Sequence, residues 1–187
     1  MERVFIMAGL PNVLSCLRIV LALLLVLLSE SPALFTITYI VCGITDIADG
    51  YIARKYNAAT KLGSKLDSLG DFIFWAVVVA VLFFRTSIYT DSLVLTGGLV
   101  VTIMRAANFL ITKIKFKQWG MLHSTGNKAA GLALYLALPI CVLLGYMPLY
   151  LAIPVFIIAL LSALEEMAIL VTSNKYNANR KSLATKD

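Results

Sequence analysis

One stretch of the sequence, at residues 127–172, reads NKAAGLALYLALPICVLLGYMPLYLAIPVFIIALLSALEEMAILVT. It contains two long apolar runs, at 127–146 and 148–172, that meet at the turn-forming segment Gly145-Tyr146-Met147-Pro148. A run of about 20 apolar residues is long enough for a helix to cross the hydrocarbon core of a bilayer. This stretch therefore predicts two successive membrane-spanning helices.

Four further apolar runs precede this stretch, near residues 12–29, 33–55, 64–86 and 92–112. Of the 187 residues, 60% are hydrophobic and 14% are charged, and the mean hydropathy is +0.90. A soluble domain carries roughly 25% charged residues, so this composition excludes an ordinary soluble domain, a disordered chain and a disulfide scaffold. We predict an all-α integral membrane protein with six transmembrane helices, forming a single domain over residues 1–187.

Lysine and arginine determine the predicted orientation. Most of the 16 basic residues lie at the N-terminus, in the links after the second and fourth runs, and in the C-terminal tail. Because cytoplasmic links are enriched in positive charge, both termini are expected in the cytoplasm. The net charge of +6 then reflects topology, and we expect no nucleic-acid partner. The first run follows Arg3 and is interpreted as a membrane anchor rather than a signal peptide.

Four of the ten acidic residues lie near the cytoplasmic ends of the second and third runs: Asp46, Asp49, Asp67 and Asp71. Residues three or four apart share one helix face, and the short link between the runs brings the two pairs of carboxylates together. An acid inside a membrane helix costs on the order of 3 kcal/mol near the bilayer centre, so bound cations are expected to offset the charge. Oxygen ligands suit Mg²⁺, Mn²⁺ or Ca²⁺ rather than zinc. The alternative is that some of these acids cap helices or reach the membrane surface.

Small and basic residues accompany the acids. Gly50 and Gly63 leave room for a ligand to approach the helix backbone, and Arg54, on about the same face as Gly50, suits an anionic phosphate. Together with a metal, these residues indicate a site for a nucleotide diphosphate at the membrane surface. Each glycine alone is also consistent with close helix packing.

The spacing of these residues resembles the signature of the CDP-alcohol phosphotransferase family. Every defined position of the signature is present, namely Asp46, Asp49, Gly50, Ala53, Arg54, Gly63, Asp67 and Asp71. The start of the first run, with Pro11, Asn12, Ser15 and Arg18, is similar to the segment that opens many members. The specific resemblance therefore covers residues 11–71.

The resemblance implies a six-helix membrane enzyme, usually a homodimer, that uses two divalent cations, Mg²⁺ or Mn²⁺. Such enzymes displace CMP from a CDP-linked donor with the hydroxyl of an acceptor alcohol. By position, Asp46, Asp49 and Asp67 would hold the metals, and Asp71 would contact the metal site and act as general base. The residues that would shape the CDP pocket are Gly50, Ala53, Arg54 and Gly63.

The sequence identifies the acceptor alcohol less clearly than it identifies the donor. The segment Asp67-Ser68-Leu69-Gly70-Asp71 departs from the Asp-Pro and Ala-Asp-Lys pattern common in phosphatidylglycerophosphate and cardiolipin synthases. We expect CDP-diacylglycerol as the donor and a small, polar, anionic alcohol as the acceptor, with glycerol 3-phosphate, serine and inositol phosphate as candidates. The alternatives are a CDP-choline or CDP-ethanolamine type of phosphotransferase acting on a lipid alcohol and, in another class, a small cation transporter.

Basic residues in and after the fourth run are candidates for binding an anionic acceptor. Arg105 lies inside the run, where an unpaired guanidinium is costly. It is therefore expected to face either an anionic ligand or an acid, with Glu165 and Glu166 as the candidate acids. The following basic residues could line the same pocket: Lys113, Lys115, Lys117, His123 and Lys128. The alternative for the lysines is a basic loop that contacts anionic lipid.

Overall fold

The computed structural model describes residues 2–56, 60–118, 120–178 and 180–185, without the side chains of residues 2–11, 54, 61, 62, 64 and 68. The described residues form six α-helices and no strand. The helices are α1 (Glu2–Leu28), α2 (Pro32–Lys55), α3 (Lys61–Arg85), α4 (Ser92–Phe116), α5 (Thr125–Leu144) and α6 (Leu149–Thr172). The predicted all-α class is confirmed.

Five stretches of helix in the described residues are long and apolar enough to cross a membrane. They are Pro32–Ala53, Lys65–Arg85, Ser92–Phe116, Thr125–Leu144 and Leu149–Thr172. The apolar described part of α1, Asn12–Leu28, is shorter. Large apolar side chains such as Leu27, Ile47 and Phe84 are exposed on the helices, as expected for surfaces that contact lipid. The chain is an integral membrane protein.

Two helices extend beyond the predicted runs by more than one turn, and the other helix ends lie within one turn of the prediction. α1 begins at Glu2 rather than near residue 12, because residues 2–10 include several good helix formers and continue the helix on the N-terminal side of Pro11. α4 continues past residue 112 to Phe116 and ends where Lys117 adopts a left-handed backbone conformation with φ of 59°.

The chain divides into two compact units. The first unit comprises Met1–Thr86 with Val142–Gly145, and the second comprises Ser87–Cys141 with Tyr146–Asp187. In the first unit, α1 packs against both α2 and α3. The ring of Tyr39 on α2 lies 5.1 Å from the ring of Phe74 on α3, and both residues are buried. α1, α2 and α3 therefore pack together, with α1 in contact with both of the other helices.

In the second unit, α4 packs against α6. The buried Asn108 side chain on α4 donates a hydrogen bond of 2.8 Å from Nδ2 to the carbonyl oxygen of Ala163 on α6. The link between α4 and α5 is anchored by Leu122, which is buried against Ile169 and Leu170 near the end of α6. The α4–α5 link is therefore fixed to the end of α6.

Candidate active site

The four acidic residues of α2 and α3 converge in the first unit, as their spacing predicts. Carboxylate oxygens of Asp46, Asp49 and Asp67 all lie within 4.8 Å of one another. Asp71 follows Asp67 by one helical turn and shares a basic partner with the other three acids. Residues from two separate helices therefore form one acidic cluster.

The basic partner is Arg18 of α1, whose side chain is only 2% exposed. Its Nη1 lies 2.7 Å from Oδ1 of Asp46, 3.1 Å from Oδ1 of Asp67 and 2.8 Å from Oδ1 of Asp71. Its Nη2 pairs with Oδ2 of Asp49. Because α1 packs between the acidic faces of α2 and α3, one guanidinium reaches all four carboxylates.

The cluster has a buried side and an open side. Asp49 is buried and also accepts a 3.0 Å hydrogen bond from the hydroxyl of Ser15. The side chains of Asp46, Asp67 and Asp71 are 48%, 47% and 52% exposed. These carboxylates are held by Arg18 on one side and exposed to solvent on the other. They can therefore bind a ligand without rearrangement of the helices.

These residues fit a divalent cation. Among the described side chains, the single guanidinium of Arg18 balances only one of the four carboxylates, so this group of described, ionised residues carries an excess of negative charge. All of the acidic ligands offer oxygen, which Mg²⁺ and Mn²⁺ prefer, and the carboxylates of Asp46, Asp49 and Asp67 are close enough to share one ion. The first unit therefore contains an acidic cluster suited to a hard metal ion.

The space beside Gly63, which was predicted to shape the CDP pocket, is partly occupied by protein. A Cβ added at Gly63 would lie 2.5 Å from Oδ1 of Asn12 and 3.0 Å from Oγ1 of Thr60. Oδ1 of Asn12 is buried without a hydrogen-bond partner among the described residues. Close packing against α1 therefore accounts for this glycine, and its role in donor binding stays a prediction, as do those of Gly50 and Ala53. The side chain of Arg54 lies outside the described part of the chain.

In the second unit, Arg105 pairs with Glu166 rather than with Glu165. Nη1 of Arg105 lies 2.7 Å from Oε2 of Glu166 and donates to Oδ1 of Asn127 at 2.6 Å. Nη2 donates to the hydroxyl of Ser162 at 2.9 Å. Glu166 is 1% exposed, so the guanidinium compensates a buried carboxylate. Of the two alternatives for Arg105, the paired acid is thus observed, and binding of an acceptor remains a prediction.

Arg105 also lines a cavity of about 540 Å³ in this unit. His123, Asn127 and Lys128 contribute polar groups to the wall, and the remaining lining residues are mostly apolar. Lys113 is not among the described residues that line the cavity. Arg105, His123 and Lys128, which were proposed from the sequence, therefore line the same cavity. Lys113, which was also proposed, does not line it.

Lys115, also proposed from the sequence, has a structural partner. Its Nζ donates to the carbonyl oxygens of Leu170 and Val171, at 2.9 Å and 2.6 Å. These carbonyls belong to the last turn of α6, where the helix leaves acceptors without intrahelical donors and where a positive charge is favourable. Lys115 therefore caps α6.

Replacing Arg105 with alanine is expected to lower the thermal stability, because Glu166 would remain buried without its counter-charge. Removing one partner of a buried pair costs about 3 kcal/mol. Adding Glu166→Gln to Arg105→Ala should restore part of the loss, since the amide carries no charge. Thermal unfolding in detergent measures both effects, with Glu165→Gln as the control. An unchanged melting temperature in Arg105→Ala would contradict the assigned pair.

A family model for CDP-alcohol phosphatidyltransferase matches residues 8–172 of this chain. The chain belongs to the CDP-alcohol phosphatidyltransferase family. The match contains α2, α3 and the acidic cluster, and it ends at the last residue of α6. The predicted family is thus confirmed over both units, well beyond the signature itself.

Curated members of the CDP-alcohol phosphatidyltransferase family are similar to parts of the chain. The CDP-diacylglycerol–glycerol-3-phosphate 3-phosphatidyltransferase of Rickettsia typhi is 39% identical over 70 residues, which are 35% of this chain and 39% of the relative. The enzyme of the same name from Rickettsia bellii is 34% identical over 85 residues, 43% of this chain and 47% of the relative. The CDP-diacylglycerol–inositol 3-phosphatidyltransferase of Candida albicans is 39% identical over 62 residues, 33% of this chain and 27% of the relative.

These matches are partial. The chain spans less than half the length of each of these three relatives. No solved structure matches the chain. The comparisons therefore show the family, whereas the activity and substrates of this chain are proposals.

Sequence reasoning missed the central position of Arg18 in this member of the CDP-alcohol phosphatidyltransferase family. Arg18 was singled out only as part of the opening segment of the resemblance, although it lies in an apolar run just as Arg105 does. A charged residue inside a membrane helix needs a partner, and the acidic pairs on α2 and α3 were the available candidates. Asn127 and Ser162, which complete the shell around Arg105, carried no comparable signal.

Proposed function

We propose that the protein transfers a phosphatidyl group from CDP-diacylglycerol to the hydroxyl of a small, polar alcohol and releases CMP. The observation that supports this proposal best is the acidic cluster of the family signature, in which all four aspartates meet around Arg18. The names of the partial relatives, which specify CDP-diacylglycerol with glycerol 3-phosphate or inositol, support the donor and the class of acceptor.

Two divalent cations, Mg²⁺ or Mn²⁺, are proposed as cofactors, held by Asp46, Asp49 and Asp67 with a contribution from Asp71. When bound, they would neutralise the diphosphate of the donor and stabilise the departing phosphate. The fit of the oxygen donors and the excess negative charge of the cluster support this assignment. Gly50, Ala53, Arg54 and Gly63 are proposed to contact the CDP group, on the basis of the signature alone.

Asp71 is proposed as the general base. The hydroxyl oxygen of the acceptor attacks the phosphorus of the phosphatidyl group, and its proton passes to the Asp71 carboxylate. The bond between this phosphorus and the oxygen of CMP breaks, and CMP leaves with the electron pair. The Asp71 side chain is half exposed and is held by Arg18 at 2.8 Å, so it combines access for a substrate hydroxyl with a fixed orientation.

The cavity of the second unit is proposed to bind the acceptor. Arg105, His123 and Lys128 line it, and a cluster of basic groups favours an anionic ligand such as glycerol 3-phosphate. Because the guanidinium of Arg105 already compensates Glu166, Lys128 is the lining cation best able to supply charge to the ligand. Lys113 was also proposed from the sequence, but it does not contribute to the lining.

Lys128→Ala is expected to raise the KM for glycerol 3-phosphate about tenfold, because a hydrogen bond to a charged group contributes roughly 1.5 kcal/mol. The KM for CDP-diacylglycerol should stay nearly unchanged, since only one substrate loses a contact. Lys113→Ala is the matched control and should alter neither constant by more than about twofold. Equal effects of the two lysine variants on the acceptor KM would argue against the cavity as the acceptor site.

We also propose six membrane crossings with both termini and the active site on the cytoplasmic side, within a single domain over residues 1–187. α1 has 27 residues, which at about 1.5 Å per residue give roughly 40 Å, enough to cross a bilayer. The distribution of lysine and arginine supports the orientation. The family resemblance suggests a homodimer. Labelling of single cysteines from either side of the membrane tests the topology, and chemical crosslinking tests the dimer.

The activity is tested with purified protein in nanodiscs that contain CDP-diacylglycerol. Release of CMP is measured with glycerol 3-phosphate, inositol, inositol phosphate, serine and choline, each with Mg²⁺, with Mn²⁺ and with a chelator. We expect CMP release that requires both an anionic acceptor and a divalent cation. Absence of CMP release with every acceptor would refute the proposed activity.

A further inference from the structure

The C-terminal segment after α6, at residues 173–185, lies beyond the part of the chain that the family model matches. Its described residues fold back onto the α4–α5 link within the second unit. The carbonyl oxygen of Ala178 accepts a 2.7 Å hydrogen bond from the backbone N–H of His123. The carbonyl oxygen of Lys181 accepts a 2.8 Å hydrogen bond from the backbone N–H of Thr125. This segment, which lies outside the family match, therefore provides acceptors for the backbone N–H groups of the residues immediately before and after Ser124.

Tyr176 provides a third contact between this segment and the link. Its hydroxyl donates to the carbonyl oxygen of Met121 at 3.2 Å, and its ring lies 5.7 Å from the ring of Phe116 at the end of α4. Burial and the nearby Glu166 carboxylate raise the pKa of Tyr176, so the phenol keeps its proton and remains a donor. The link is close to this ring, because a Cβ added at Gly120 would lie 2.6 Å from the Tyr176 hydroxyl oxygen.

The segment is itself braced by Arg180. Nη1 of Arg180 donates to the hydroxyl of Ser173 at 2.7 Å, and Nη2 donates to the carbonyl oxygen of Leu183 at 3.2 Å. The backbone N–H of Leu183 faces Oε1 of Glu165 on α6 at 3.4 Å. The segment is therefore tied to α6 at both of its ends and to the link in between.

The link that this segment holds is also a wall of the cavity. Met121, Leu122 and His123 line the cavity, and the next helix contributes Asn127 and Lys128. The bond from Thr125 to the segment satisfies one of the N–H groups at the start of α5, which have no intrahelical acceptor. Displacement of the segment would therefore remove hydrogen bonds from His123 and from the first turn of α5, which carries Lys128. Both parts of the cavity wall would become more mobile.

We propose that the described residues of this segment, 173–178 and 180–185, form a strap that positions the cavity wall at residues 121–128 and thereby sets the affinity of the cavity for its anionic acceptor. This inference rests on the proposed acceptor site and adds a specificity determinant that the matched family region does not contain. The strap residues do not contact the reacting groups in this proposal. They act through His123 and Lys128 as positioning residues.

The test compares the full chain with a variant that ends after Asn174, both in nanodiscs. Hydrogen exchange should become about tenfold faster at the amides of His123 and Thr125, which lose their acceptors. The KM for glycerol 3-phosphate should rise about fivefold, while the KM for CDP-diacylglycerol stays within about twofold. Lys175→Ala, which removes an exposed charge from the same segment, is the matched control and should change none of these values.

Two point variants keep the test valid if the truncated chain fails to fold. Tyr176→Phe removes only the hydroxyl that bonds to Met121, and Gly120→Ala places a methyl group against that hydroxyl. Each should raise the KM for glycerol 3-phosphate by about two- to fivefold, the effect of losing one ordinary hydrogen bond. Unchanged exchange at His123 and Thr125 in the truncated chain, or parallel changes in both KM values, would overturn the proposal.

A binding measurement separates failure of the strap from failure of the proposed transferase activity. Glycerol 3-phosphate is titrated into the full and truncated chains without a CDP donor, so no turnover is needed. Weaker binding by the truncated chain supports the strap even if the full chain transfers nothing. Equal binding by the two chains overturns the strap even if the full chain is an active transferase.

Discussion

Asp71→Asn is expected to reduce transfer by about 10²- to 10⁴-fold, the typical effect of removing a general base. The amide preserves the shape of the side chain but cannot take the proton of the acceptor hydroxyl. Binding of the CDP donor should remain largely intact, because Asp46, Asp49 and Asp67 still provide the three carboxylates that lie within 4.8 Å of one another. CMP release and equilibrium binding of CDP-diacylglycerol measure the two effects separately.

The matched control for this change is Asp91→Asn in the second unit. Asp91 caps α4 by accepting hydrogen bonds from the backbone N–H groups of Leu93 and Val94, and asparagine is about as good a cap as aspartate. The control should therefore retain both stability and transfer. Turnover close to that of the parent in Asp71→Asn would rule out Asp71 as the base, and a parallel loss of donor binding would assign it to the metal site alone.

Arg18→Ala is expected to lower the stability of the protein strongly in the absence of a divalent cation. Four carboxylates would lose a guanidinium that contacts them all. Breaking a buried pair costs 3–5 kcal/mol, and we expect about 3 kcal/mol because three of the carboxylates are half exposed to solvent. Added Mg²⁺ should recover more stability in Arg18→Ala than in the parent, since the cation would replace the missing charge.

Thermal unfolding with and without Mg²⁺ tests this expectation. Arg85→Ala is the control, because its pair with the exposed Glu30 is of the solvent-exposed type that contributes about 0–1 kcal/mol. Arg18→Lys keeps the charge but loses the planar fork of donors, so it should lie between the parent and Arg18→Ala. A melting temperature in Arg18→Ala equal to that of the parent, or the same Mg²⁺ effect in both, would contradict the central role of Arg18.

The local sequence pattern around Asp67 does not identify the acceptor alcohol. Ser68 follows Asp67 where many phosphatidylglycerophosphate synthases have proline, and this departure argued against that subgroup. Nevertheless, the partial relatives include proteins named for glycerol 3-phosphate as well as for inositol. One residue beside the shared signature therefore does not identify the alcohol.

The spacing of the acidic residues predicted the acidic cluster more completely than the positions of the basic residues predicted the lining of the cavity. Asp46 and Asp49, and likewise Asp67 and Asp71, share a helix face because they are three or four residues apart. That relation depends only on helix geometry and survives any packing arrangement. In contrast, Lys113 and Lys128 looked alike in the sequence, and only Lys128 lines the cavity.

Hydropathy alone was sufficient to predict an all-helical membrane protein, because a helix in lipid must satisfy its backbone hydrogen bonds internally and present about 20 apolar residues to the bilayer. The partners of the buried charges required the tertiary structure. Arg18 reaches acids on two other helices, and Arg105 selects Glu166 over its neighbour Glu165. Adjacent residues point to different sides of a helix, so helix rotation and packing decide which charge is compensated, and neither can be deduced from composition or spacing.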